Sequence, residues 1–156
     1  MKTKRSWREK LASDSGVAEV KPIPARMQKR AGQGTIVIPV LREVYDLVRN
    51  VPKGKLTTVQ HLSDRIARKH RATIGCTVTT GILAWMVANI GYEEERDGIR
   101  RPTPYWRVLK ADGELNLKYP GGLTGLRKRL RSEGHAVVSD KRRYRIDNYE
   151  ARLVRI

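Results

Sequence analysis

The sequence predicts a mainly α domain with small β elements: a three-helix, winged helix-turn-helix-like core with a basic N-terminal arm and a C-terminal hairpin. Three observations lead there. Three stretches between residues 39 and 90 place apolar side chains at helical spacing and end in helix-stop signals. Only a short turn separates the second from the third. Short alternating segments bounded by glycine follow residue 104.

At 156 residues, 39% of them apolar, the chain suits one compact domain. Its charge is less ordinary: 33 Lys and Arg against 16 Asp and Glu, a net +17. Such an excess attracts polyanions, because each phosphate neutralised releases condensed counterions. Solubility alone is a weaker explanation, since an acidic excess serves it at least as well. The single cysteine, Cys76, permits no internal disulfide and fits a reducing compartment. There is no run of about 18 apolar residues to span a membrane. The basic start is followed by no apolar stretch of the secretory kind. A cytoplasmic, monomeric protein is expected.

Residues 1–34 read as a basic flexible arm. Lys2, Lys4, Arg5, Arg8, Lys10, Lys21, Arg26, Lys29 and Arg30 face only three acids there, with Pro22, Pro24 and Gly32-Gln33-Gly34 as breaks. A short helix over Trp7–Leu11 fits locally, but the segment reads mainly as extended, either a solubilising tail or a nucleic-acid contact. Residues 35–156 form the folded domain. After Pro39, Val40, Leu41, Val44, Leu47 and Val48 share one helical face, and Val51-Pro52-Lys53-Gly54 closes it. Thr57 or Thr58 caps a second helix with Leu62 and Ile66 inward and Lys69, His70 and Arg71 at its end. A turn at Thr73–Cys76 precedes a third helix, about Thr77 to Ile90, with Leu83, Met86, Val87 and Ile90 apolar.

The spacing then predicts a solvated acidic loop (Glu93, Glu94, Glu95, Asp97) and a strand over Tyr105–Leu109. The strand turns at Ala111-Asp112-Gly113 and pairs with Glu114–Leu117. A basic helix over Leu123–Glu133 closes at Gly134, and Ala136–Val138 with Tyr144–Ile146 make the hairpin. The third helix begins Thr77-Val78-Thr79-Thr80-Gly81, all small side chains that would let its backbone approach a groove wall. A hairpin packed only for stability would tolerate them too.

Little catalytic chemistry is visible. His61, His70 and His135 are dispersed, so no metal is expected. No phosphate-cradling glycine loop occurs, so no cofactor is expected. Cys76 precedes a helix start, which favours thiolate, yet a lone cysteine is more often a small filler.

Pro104-Tyr105-Trp106-Arg107-Val108, then Gly113 and Tyr119-Pro120-Gly121-Gly122-Leu123, resembles the acceptor-site region of the alkylguanine-DNA alkyltransferases. Val51–Thr58, the helix from Thr77 and Glu133-Gly134 extend the resemblance in order from Ile36 to Gly134. In that family the motif is Pro-Cys-His-Arg-Val, and the Cys takes an alkyl group from guanine. The resemblance implies a helix-turn-helix entering the minor groove and a base extruded into a pocket. This chain has Tyr105 at the acceptor position and Trp106 at that of the activating His. Gly81 stands where the family has a stacking Arg and Val59 where it has a phosphate-rotating Tyr; only Glu133 of the relay remains.

The expected function is therefore a non-enzymatic nucleic-acid-binding protein of the alkyltransferase-like class, binding duplex DNA and serving repair. Thr77, Thr79, Thr80 and Gly81 would face the groove, and Arg107, Arg127, Lys128, Arg129 and Arg131 the phosphates. Val59, Tyr105, Trp106, Tyr119 and Glu133 would form a remodelled pocket, stacking on a base or filling it as core. One alternative is a module for structured RNA or a ribonucleoprotein. Another is a methylated-DNA alkyltransferase with Cys76 or Tyr105 as acceptor.

Overall fold

A computed structural model describes residues 5–14 and 16–155. Its core is three helices: α3 (Leu41–Arg49), α4 (Val59–Lys69) and α5 (Thr77–Arg96). Val44, Val48, Leu62, Ile66, Ala84, Val87, Ala88 and Ile90 are all buried where they meet. The helix starts follow from local chemistry. Thr58 caps α4 by accepting from the His61 amide at 3.1 Å, and the Glu43 carboxylate reaches back to the Val40 amide at the start of α3. Neighbours surround α5 on most sides, as its content of buried small and apolar residues requires.

Short strands frame these helices. β1 (Glu19–Pro22) runs antiparallel to β2 (Thr35–Ile38), which pairs in parallel with β4 (Ile74–Gly75). β4 bridges α4 and α5, and Gly75 is needed there, since any Cβ would overlap Ser63 of α4. β3 (Thr57–Thr58) pairs in parallel with β5 (Val108–Leu109). α6 (Gly122–Ser132) follows, closed as expected by Gly134 at φ +90°. The hairpin is β6 (Val137–Asp140) against β7 (Arg143–Ile146), with Ile146 buried. Beyond it the chain returns to the core: Leu56 donates to the Arg152 carbonyl and Val154 to the Leu56 carbonyl, both at 2.9 Å. The architecture is mainly α with small β elements, as the sequence predicts.

Three expectations are corrected. First, residues 5–34 are not an extended arm, while Lys2 and Lys4 lie outside the described residues. Helix α1 (Trp7–Ala12) forms with a Ser6–Glu9 capping box, and Leu11 is buried. Trp7 packs edge-on to Trp85 of α5 at 5.2 Å. β1 and a single turn, α2 (Gln28–Ala31), follow, with Ile23 buried. Apolar burial and strand pairing thus outweigh the charge of this segment.

Second, the acidic loop is the end of α5. Glu93 and Glu94 are buried, each on partners distant in sequence. Glu93 accepts from the Trp7 and Arg8 amides at 2.9 and 3.1 Å. Glu94 accepts from Tyr45 Oη at 2.7 Å and the Thr103 amide at 2.9 Å, and Glu95 pairs with Arg129 at 2.8 Å. Third, Tyr105–Arg107 is a 3-10 turn rather than strand, and Glu114–Leu117 does not pair with it. Gly91 permits the turn: a Cβ there would lie 2.7 Å from the Thr103 carbonyl and 2.8 Å from the Tyr105 ring, so both rest directly on α5. Among the described residues, Val108–Leu109 pairs only with the two-residue β3.

Candidate nucleic-acid interface

The segment matching the alkyltransferase acceptor motif is packed solid. Tyr105 is 1% exposed and lies edge-on to Trp106 (5.4 Å) and Tyr119 (6.2 Å). Its hydroxyl donates to the Pro120 carbonyl at 3.3 Å. Burial, with smaller contributions from Glu95 and Tyr92, raises its pKa to about 12 against the opposing pull of Arg129. The phenol is therefore protonated at neutral pH and unsuited as a nucleophile. Tyr119 is also buried and pushed up by its desolvation. Val59 is half-buried at the edge of the core and is the side chain nearest Gly81.

Glu133 ties this region together. Trp106 Nε1 donates to it at 2.7 Å, Arg107 Nε at 2.7 Å and the Gly54 amide at 3.3 Å. Burial opposes its ionisation, but the bonds from Arg107, Trp106 and Gly54 outweigh that and hold its pKa below the ordinary carboxylate value. The Trp106 ring carries the Arg129 guanidinium at 4.8 Å and that of Arg107 at 5.5 Å. With its N–H and its ring so engaged, Trp106 has little left to offer a nucleobase. Of the two readings for these residues, the geometry favours a filled core.

The expected phosphate contacts do not form one patch. Arg107 is directed inward, bonded to Glu133 and to the Val51 carbonyl at 2.7 Å. Arg129 is committed to Glu95 and the Trp106 ring. Half-buried Arg127 lies over Tyr144 at 5.5 Å. Lys128 and Arg131 are exposed.

The first turns of α5 are different. Thr77 is exposed and Thr79 half-buried, 3.2 Å from the Cys76 sulfur. Thr80 turns inward, its hydroxyl donating to the Cys76 carbonyl at 2.8 Å. Gly81 is half-buried, with only Val59 near the position a Cβ would take. Val78 and Ile82, neither among the residues expected to face the groove, are 72% and 56% exposed. A signal was present: they are four apart, one helical turn, and out of phase with the buried Val87 and Ile90.

Among the described residues there is no cluster of three potential metal ligands, and no helix is long and apolar enough to cross a membrane. No family model and no curated protein matches the sequence. Among solved structures, the chain is similar to S. pombe Atl1, an alkyltransferase-like protein, crystallised with damaged DNA containing O6-carboxymethylguanine. The match has 18% identity and a TM-score of 0.50, and covers 73% of this chain and 93% of that one. At that identity the likeness is one of fold, and it is the fold that the acceptor-site resemblance implies.

Proposed function

We propose that this protein binds nucleic acid without catalysing a reaction, acts on duplex DNA and serves in repair, as a member of the alkyltransferase-like class. One observation carries the reading: the first turns of α5 leave Thr77, Val78 and Ile82 facing solvent in a fold shared with a protein seen on damaged DNA. In this reading α4 and α5 act as a helix-turn-helix with α5 in the groove, and the net +17 supplies the sequence-independent attraction. Lys128 and Arg131 are the members of the basic helix free to meet phosphates. The filled surroundings of Tyr105 argue against base extrusion into that region and against chemistry on it.

The test is binding of matched duplexes, with and without an O6-alkylated guanine, across a salt series. The expected result is tight binding at low salt that weakens steeply as salt rises, with little preference for the lesion. Affinity independent of salt would refute the reading. A second reading, structured RNA, is favoured by Gly81 and Val59 in place of the two base-extruding residues. Competition between duplex DNA and a folded RNA separates the two. Transfer to Cys76 or Tyr105 would show as a gain of one alkyl group in the intact mass after incubation with alkylated DNA; none is expected.

A further inference from the structure

A cleft of about 720 Å3 lies between the end of α3, the loop that follows it and the 101–107 segment. Its charged lining residues are Arg49, Lys53, Arg101 and Arg107, with no carboxylate among them. Four other clefts on the described surface each include at least one acid: Asp64 and Glu150 in one, Glu94 and Asp97 in another, Glu43 and Asp46 in a third, Asp140 at the hairpin tip. A concavity lined only by cations concentrates positive potential, because its low-dielectric walls focus the field.

The four cations divide into two pairs. Arg107 is held by Glu133 and the Val51 carbonyl. Arg49 donates to Thr103 Oγ1 at 3.3 Å and sits 3.7 Å from Glu94. These two form a fixed rim. Lys53 and Arg101 are exposed, and neither side chain has an ion-pair or hydrogen-bond partner among the described residues. Arg101 also holds φ +59° immediately before a proline. That conformation is unfavourable for a side chain of its size and disfavoured further by Pro102. Backbone strain of this kind persists where the surroundings impose it, and it clusters at ligand clamps. The apolar part of the lining includes Pro52, Pro102, Pro104 and Trp106.

We propose that this cleft binds a nucleoside phosphate, its phosphate held by Lys53 and Arg101 and its base against Pro52 and Pro102. Two unpaired cations lining one cleft suit an oxyanion, and an apolar proline surface suits a planar ring. A free nucleotide and the 5′-phosphorylated end of a strand share this chemistry. The proposal does not depend on how α5 is used.

The test is calorimetric titration of the full chain at low salt with 5′-AMP, adenosine and inorganic phosphate. Short oligonucleotides with and without a 5′-phosphate complete the series. The expected result is saturable one-site binding of AMP, with adenosine and inorganic phosphate each at least tenfold weaker. Lys53→Ala and Arg101→Ala should each weaken AMP at least fivefold, while Lys141→Ala/Arg142→Ala at the hairpin tip should not. Arg101→Gly should lose binding and gain thermal stability, a pair of effects that a purely structural role would not produce. A 5′-phosphate that strengthens oligonucleotide binding in the wild type, but not in Lys53→Ala/Arg101→Ala, identifies a strand end as the source. Its absence, with AMP still bound, identifies free nucleotide. Non-saturable binding, inorganic phosphate as tight as AMP, or equal loss from the hairpin-tip variant would overturn the proposal.

Discussion

The surroundings of Tyr105 and the first turns of α5 make opposite use of their side chains. Around Tyr105 the aromatic rings pack edge to edge, the Glu133 carboxylate is bonded by Trp106, Arg107 and Gly54, and the nearby arginines turn inward. Along α5, Val78 and Ile82 are apolar and face solvent. One region has become core; the other presents surface that the fold itself does not use. The contrast teaches that a motif's position in a sequence is a poor guide to where its function lies. The segment carrying the clearest resemblance is the more fully internalised of the two.

On this division, variants around Tyr105 should cost stability and spare binding, and variants on α5 should do the reverse. The largest effect is expected for Glu133→Ala, which leaves Arg107 charged and unpaired at 12% side-chain exposure. A loss of about 3–5 kcal/mol in denaturant unfolding is expected, with duplex affinity unchanged below the melting transition. Tyr105 adds a pH signature. Its folded pKa of about 12 lies above the unfolded value of about 10, so its contribution is fully present below pH 10 and is lost as pH rises to 12. The loss should be about 3 kcal/mol from the two-unit difference, and it should vanish in Tyr105→Phe. Gly91→Ala should cost about 1–3 kcal/mol, because the Thr103 carbonyl and the Tyr105 ring must move to admit the methyl.

Ile82→Ala is the reverse case. Alanine is the better helix former, so thermal stability should hold or rise. Duplex affinity should fall about tenfold, roughly 1.4 kcal/mol. Unchanged affinity, measured by fluorescence anisotropy, would show that the exposed face of α5 is not the interface. The smallest effect is expected for Lys128→Ala: a few-fold weaker binding at every sequence, with the salt slope reduced by about one.

α3 and α4 were legible because nothing in them conflicts: apolar spacing, the Thr58 cap and the Pro52–Gly54 stop agree. α5 was legible only to Ile90. Its last turns carry three consecutive carboxylates, which read as solvent-facing until the structure brings Trp7, Tyr45, Thr103 and Arg129 to meet them. Local sequence does not report partners that arrive from 9 to 86 positions away. The alternation of Tyr105–Leu109 misled for a related reason, since contact with Gly91 decides that backbone, not the residues' strand preference. The acceptor region was found by resemblance, which fixed its location; whether its cations were free or spent depended on Glu133 and Glu95, and that only the structure reveals. Conversely, Val78 and Ile82 were visible as a phase slip in the helical pattern.

Glu93 caps α1 from 86 positions downstream, and that sets an order of events during synthesis. The ribosome releases α1 long before the residue that secures its first amides. At about 5–20 residues per second, the helix waits roughly 4 to 17 s for its cap. Through that interval Trp7 has no Trp85 ring to pack against, because α5 is not yet made. Helix α1 is therefore among the last elements to settle, although it is made well before α5.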